Sequence, residues 1–278
     1  MDLGRWRTLP LPAIEGLPGR VMVRSQSLPP HSIFPIHAHA WNQLAYATSG
    51  TLTVVVERTW YLVTSEQAIW IPTHVQHSTG SLNGSEFRSL YVAETAALPK
   101  ICTVFSVTEL LRALIIELTE AERRREQDAY ITRLQDLIVD QLQRLEPHRF
   151  CLPWPKSNSL QRICEKLYGA PDDPDGIDTL STSFGMSPRT LMRRFNDEVG
   201  IGLREWRSRL RLFRALEWLD AGRSVTDVAL GLGYATPSAF SHMFRKEMGC
   251  SPTEWEKRRS AFAGTKRAET SPHAMKKA

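Results

Sequence analysis

The stretch GRSVTDVALGLGYATPSAFSHMFRKEMGCSPTEW, residues 222–255, organises the rear of the chain, because its pattern occurs twice. Set VTDVALGLGY (225–234) beneath IDTLSTSFGM (177–186). Val225 then answers Ile177, Val228 answers Leu180, Ala229 answers Ser181, Leu232 answers Phe184 and Gly233 answers Gly185, at an offset of 48. Further on the offset is 49, pairing Pro188 with Pro237, Leu191 with Phe240, Phe195 with Phe244, Gly200 with Gly249 and Trp206 with Trp255. The second copy has one extra residue in its turn. Self-similarity at a fixed period marks a repeated supersecondary unit.

Each copy reads as helix, tight turn, helix. Apolar residues of the first helix recur at i, i+3 and i+7, and the small residue Ser181 or Ala229 lets two helices cross closely. Gly185 and Gly233 fall where a helix ends in a left-handed residue, which glycine adopts without a Cβ penalty. Ser187-Pro188 and Thr236-Pro237 read as an N-cap followed by proline at the first helical position. This is helix-turn-helix anatomy, with the second helix of each unit as the reader. In the first reader Leu191 and Phe195 face the core, leaving Arg189, Met192 and Arg193 outside, beside Thr190. In the second, Phe240 and Phe244 face inward and Ser238, Ser241 and His242 outward. Arginine reads guanine with a bidentate fork, and serine or histidine reaches base edges more loosely. Arg194, Arg245 and Lys246 sit on the flanks and suit phosphate.

Between the units, GLREWRSRLRLFRALEWLD (202–220) predicts one long helix, with Trp206, Leu210, Phe213 and Leu216 buried. It fixes the separation of the readers. A separation of about one DNA turn, ~34 Å, would put both in successive major grooves. Its arginines (204, 207, 209, 211 and 214) read mostly as a solvated face, with one or two reaching phosphate. Charge agrees: from Ser187 onward 18 Lys and Arg stand against 10 Asp and Glu, whereas residues 1–149 carry 14 against 15. A basic rear behind a neutral front fits a polyanionic partner.

Residues 158–258 resemble the DNA-binding domain of the AraC/XylS family of bacterial regulators. Residues 222–255 resemble its signature over nearly their whole length, and GMSPRTLMRRF (185–195) resembles its first reader helix. The resemblance implies a seven-helix domain, promoter DNA as ligand and contact with RNA polymerase. Ser181-Thr182 stand where the family usually has alanines. Serine is small and can bond its own helix backbone, so little is lost.

The front differs in texture. From about Val21 to Tyr91, β-branched and aromatic runs such as LTVVVE (52–57), TWYLV (59–63) and AIWIP (68–72) alternate with turn residues, predicting a sandwich or barrel. HAHAWNQLAYATSG (37–50) and Pro72-x-His74-x2-His77 can bring His37, His39, Gln43 and His77 together, since alternate strand residues share a face. Three imidazoles and an amide can hold a divalent metal. The pattern resembles the two motifs of cupin barrels, where the ligands are three histidines and a glutamate. Gln43 replaces the glutamate, which removes a charge and weakens metal binding. His74 replaces a usual glycine and reads as a surface residue. The cluster is either a structural or ligand-binding histidine group or a site for Ni, Zn, Mn or Fe. Trp41, Tyr46 and Trp70, with Trp60 and Tyr91, read either as barrel core or as the lining of an effector pocket.

Two amphipathic helices follow, over 108–126 and 129–146, whose apolar stripes serve either to pack on the barrel or to pair two subunits into a homodimer. CLPWPKSNS (151–159) reads as a linker and the polar, basic residues 260–278 as a disordered tail. The expected architecture is α+β in two domains. A cupin-like sensor barrel (1–103) and a helical dimerisation or linker segment (104–157) precede an all-α DNA-binding domain with two helix-turn-helix units (158–259). Four scattered cysteines fit a reducing cytosol, and the absence of a leader-like or bilayer-length apolar run predicts a cytoplasmic protein without membrane association. The expected function is transcription regulation, by activation or repression, in response to a small-molecule or metal effector. A metal-dependent cupin enzyme with an appended DNA-binding domain, or an architectural DNA-binding protein, are the competing readings. The missing glutamate and the lack of an acid–base partner weigh against catalysis.

Overall fold

A computed structural model describes residues 6–93, 98–148 and 151–257. The expected tail, 260–278, lies outside them. Among the described residues, twelve strands form two six-stranded sheets. One has the order β1 (Arg7–Thr8), β3 (Ser32–His37), β8 (His77–Ser81), β5 (Leu52–Val56), β6 (Thr59–Val63), β12 (Leu152–Pro153). The other has the order β11 (Pro147–His148), β10 (Thr103–Ser106), β7 (Gln67–Ile71), β4 (Asn42–Gly50), β9 (Ser85–Val92), β2 (Val21–Leu28). All neighbours pair antiparallel except β1 with β3.

The period of two along a strand sorts its side chains between faces. Ala45, Ala47, Ile69, Ile71, Val54 and Phe87 fill the space between the sheets. Leu44, Tyr46, Ala68 and Trp70 point the other way, beneath two helices, α1 (Glu109–Arg124) and α2 (Asp128–Gln143). The helical stripe Leu111, Leu114, Ile115, Leu118, Leu134, Ile138 and Leu142 closes over them. That stripe is therefore used on the barrel. Leu110, Ile116 and Leu137 remain exposed on the outer side.

The expected boundary at 103/104 cuts through β10, which pairs with β7 over Thr103–Ser106. After α2 the chain returns as β11 and β12, so the helical pair is an excursion from the barrel. The linker is itself an edge strand: Leu152 pairs with Trp60 and Pro153 with Thr59. Two residues and a proline leave no periodicity to read, yet proline is tolerated on an edge.

The helices α3 (Asn158–Gly169), α4 (Ile177–Ser183), α5 (Pro188–Val199), α6 (Leu203–Asp220), α7 (Val225–Gly231) and α8 (Pro237–Met248) follow. Residues 252–257 are helical again. Trp206, Leu210, Phe213 and Leu216 of α6 are buried with Leu180, Leu191, Phe195, Val228, Phe240, Phe244 and Trp255. Trp60 and Leu62 on the outer face of β6 join this core, so the barrel and the helical domain share packing.

Candidate nucleic-acid interface and histidine cluster

The two turns are alike in their hydrogen bonds. Met186 N–H donates to Ser181 O (2.8 Å) and Gly185 N–H to Thr182 O (3.1 Å). In the second copy Tyr234 donates to Ala229 O (3.0 Å) and Gly233 to Leu230 O (3.0 Å). Both are Schellman endings, with Gly185 at φ 67° and Gly233 at φ 78°. Ser187 accepts from Thr190 N–H to start α5, and Thr236 accepts from Ala239 N–H to start α8, each followed by proline. Ser181 is fully buried and its hydroxyl donates to Asp178 O (2.9 Å), as a serine on a helix can.

These caps aim the readers. On α5, Leu191 and Phe195 are buried, while Arg189, Met192 and Arg193 are exposed. Arg189 and Arg193 make no hydrogen bond or ion pair among the described residues, so their guanidinium forks are available. Asn196, which the sequence reading passed over, lies on the same exposed side, three residues after Arg193. Helical spacing alone would have found it, and asparagine is suited to adenine. Thr190 is half-buried and its hydroxyl is bonded to that of Ser187 (2.9 Å), which places it in the cap. Arg194 also differs from expectation. It lies 3.7 Å from Glu198 and donates to Ser159 Oγ (3.4 Å), so it is engaged within the domain. On α8, Ser238, His242, Arg245 and Lys246 are exposed and Ser241 is half-buried.

In the barrel, β3, the loop after it and β8 bring His37, His39 and His77 together, with one ring nitrogen of each within 4.8 Å of the others. The backbone orients all three. His37 Nδ1 lies 2.9 Å from Pro35 O, His39 Nδ1 2.7 Å from Trp41 O, and His77 Nδ1 2.9 Å from Val75 O. A carbonyl can only accept, so each Nδ1 carries a hydrogen, and in a neutral ring the lone pair is then on Nε2. Burial pulls the pKa of His77 down to about 3, opposed by its carbonyl bond and reinforced by His37 and His39. Burial also lowers that of His37. Burial thus favours the neutral rings of His37 and His77, the form in which imidazole ligates a metal. His77 Nε2 is buried with no hydrogen-bond partner among the described residues.

Gln43 completes the group. Its amide nitrogen donates to Ser89 Oγ, and its Oε1 lies 2.9 Å from His39 Nε2. With Nδ1 of His39 donating to Trp41, two acceptors face each other there, an arrangement that a cation or a second proton on the ring relieves. Turning the amide over relieves it too, but the amide N–H would then occupy His39 Nε2. His74 is exposed at φ 61°, a conformation that explains why glycine suits that position. Of the expected pocket aromatics, Trp41 and Tyr91 are beside the cluster, Trp41 stacked on His39 with ring centroids 5.8 Å apart and Tyr91 edge-on to it at 5.7 Å. Tyr46 and Trp70 are core residues beneath α1 and α2. Alternation along β4 and β7 decides this, and burial on both faces of the sheet hides it from the sequence. A cavity of about 370 Å³ adjoins His77 instead, lined by Phe34, Pro35, Ile36, Val55 and Glu57 among others.

A barrel with an inward-facing histidine cluster, packed on a tandem helix-turn-helix domain, defines a DNA-binding transcription regulator with a cupin front end. Residues 180–258 match the helix-turn-helix domain family and residues 24–92 the cupin domain family. The chain is 30% identical over 219 residues to the HTH-type transcriptional regulator NimR of Escherichia coli K12, covering 78% of this chain and 80% of that one. It is 26% identical over 267 residues to the HTH-type transcriptional activator RhaS of Escherichia coli O6:H1, covering 88% and 95%. ToxT from Vibrio cholerae O395 aligns over 85% of this chain and 97% of its own, at 12% identity and a TM-score of 0.36. The chain belongs to the AraC/XylS family of transcription regulators and binds promoter DNA.

Proposed function

We propose that this regulator senses a divalent metal, or a small ligand held by one, at His37, His39, His77 and Gln43, and that the occupied barrel alters promoter binding. The observation that carries the reading is the shared orientation of the imidazoles. Three Nδ1 hydrogens are held by carbonyls, and the orphaned Nε2 of His77 sits among the ring nitrogens. Such a donor set suits Ni, Zn, Mn or Fe(II). A bound ion would supply a Lewis-acidic point of attachment for an anionic or carbonyl-bearing effector. A sensor shifts promoter affinity only by the difference in its affinity for two conformations.

The proposal extends to the partners. RNA polymerase is the recipient of the signal, the regulator works in the cytoplasm, and a homodimer forms through the outer sides of α1 and α2, where Leu110, Ile116 and Leu137 are exposed. No helix among the described residues is long and apolar enough to cross a membrane. We also infer that the barrel does not catalyse. The side chains packed on or bonded to the imidazoles include Trp41, Tyr91 and Gln43, none of which is ordinarily ionised near neutral pH, while the carboxylate of Glu57 belongs to the lining of the adjoining cavity.

The test is the metal content of untagged protein, purified without chelator and incubated with Ni, Zn, Mn and Fe(II), beside His39→Ala. About one ion per chain in the parent and none in the variant is the expected result. No ion in either would make Gln43 the mark of a retired metal site and move the search to metal-free effectors.

A further inference from the structure

The five arginines of α6 separate into two kinds. Arg207 donates to the carbonyls of Asp175 (2.6 Å) and Asp173. Arg211 donates to Pro171 O (3.2 Å). Arg209 pairs with Glu205 (2.7 Å) and reaches Cys151 O (3.3 Å). Arg214 pairs with the buried Glu217 (2.6 Å) and donates to the Tyr168 hydroxyl (3.2 Å). These four hold the domain together. Arg204 is exposed and makes no hydrogen bond or ion pair among the described residues.

Arg204 also stands at a particular place. It lines a cleft of about 630 Å³ with Ile177 of α4, Met192 and Asn196 of α5, and Leu203 and Arg207 of α6. Met192 and Asn196 lie on one flank of the reader helix, since residues four apart on a helix are neighbours. Arg194 and Glu198 occupy the other flank, and they are engaged with the start of α3. A helix lying in the major groove, about 12 Å wide, has a phosphate strand on either side. The strand on the Met192–Asn196 side would run over the cleft, where Arg204 is the cation without a partner. Arg207 and Arg211 behind it keep the cleft wall positive.

We propose that Arg204 binds a backbone phosphate beside the major groove read by α5. The helix joining the two readers is then itself a DNA contact, and it fixes the register of the first reader through a contact that carries no base preference. The proposal rests on the chain acting as a DNA-binding regulator.

The experiment measures binding of the full chain and of Arg204→Ala by fluorescence anisotropy across a salt series. The probes are a duplex selected from a random pool and a scrambled duplex of the same length. Neutralising one phosphate contact changes the slope of log K against log[salt] by about 0.9. The expected variant slope is shallower by about that amount. Affinity at low salt should fall about tenfold on both duplexes alike, with the thermal melt unchanged. Arg204→Lys should restore most of the slope. A slope equal to the parent's, or a loss confined to the selected duplex, would overturn the phosphate contact alone. A parent chain with no salt-dependent binding to either duplex would overturn the DNA-binding reading and this contact with it.

Discussion

The two helix-turn-helix units share the same pair of Schellman bonds in their turns and differ in what they lean on. The first is fastened to the barrel. Glu198, near the end of α5, accepts from the backbone N–H groups of Lys156 (2.9 Å) and Ser157 (2.7 Å). Those residues continue the edge strand β12. There Trp154 N–H donates to Arg58 O (2.8 Å), Arg58 donates to Pro155 O (3.3 Å), and Trp206 Nε1 donates to Pro153 O (2.7 Å). Arg58 lies in the turn after β5, whose Val56 pairs with His77. The second unit leans on its own domain. Tyr234 packs on Phe240, and Phe244 on Trp255. Near it, the carbonyl of Glu217 on α6 accepts from Asn83 of the barrel (3.3 Å). The barrel thus touches the first unit through residues 154–157 and touches α6, beside the second unit, through Asn83, which follows the strand that carries His77.

Gly233 and Gly185 give the largest expected contrast. Both have positive φ, but a Cβ at 233 would come within 3.2 Å of Asp172 Cα, whereas at 185 it would meet nothing within 4 Å among the described residues. Gly185→Val should cost about 1–2 kcal/mol for the left-handed conformation. Gly233→Val should cost about 1–3 kcal/mol more through overpacking. Denaturant unfolding of the two variants measures the gap, and equal losses would erase this difference between the turns.

Arg193→Ala should cost about 1–3 kcal/mol of DNA affinity and relax preference at a single operator position. Selection from a random duplex pool reads this out. A uniform loss over all sequences would make Arg193 a phosphate contact. His242→Ala should relax a different position by less, because histidine lacks the bidentate fork of arginine.

Glu198→Gln tests the fastening and should cost about 1–2 kcal/mol. Burial pushes the Glu198 carboxyl up, but the bonds from Ser157 and Lys156 and the nearby Arg194 more than reverse this, so its pKa is lowered. The stabilisation is then complete above the unfolded value of about 4.3 and is lost as pH falls through the lower folded value. Unfolding measured from pH 6 to pH 3 should be less steep in the variant. Parallel curves would show that the carboxylate contributes nothing to the tie.

The rear domain was legible because its signals are local. Gly185, Ser187 and Pro188, and their counterparts in the second copy, act through the backbone within a few residues, and two copies confirm each other. The histidine group was legible from its spacing, but not through the strand period: β3 ends at His37 and His39 lies in the loop that follows, so a period of two does not place it. What escaped depends on partners distant in sequence. Tyr46 and Trp70 could not be assigned to a face, because both sides of their sheet are buried. The role of Arg194 depends on Ser159, and those of Arg207 and Arg211 on carbonyls in the 171–175 loop. None of these is marked by spacing on the helix. The strand at Leu152–Pro153 exists only because β6 offers an edge.

That strand bears on how such a regulator can be recombined. Its hydrogen bonds place it with the barrel, while Trp154 stacks against Trp60 (5.3 Å between centroids) and also packs edge-on to Trp206 (5.6 Å). A chimera cut before Cys151 would strip the donor barrel of its edge. A cut after Lys156 would graft a foreign segment under α6. Exchange of sensors between relatives therefore has no neutral seam here, and a working hybrid must carry Arg58, Trp60, residues 151–157, Glu198 and Trp206 together as one inherited block.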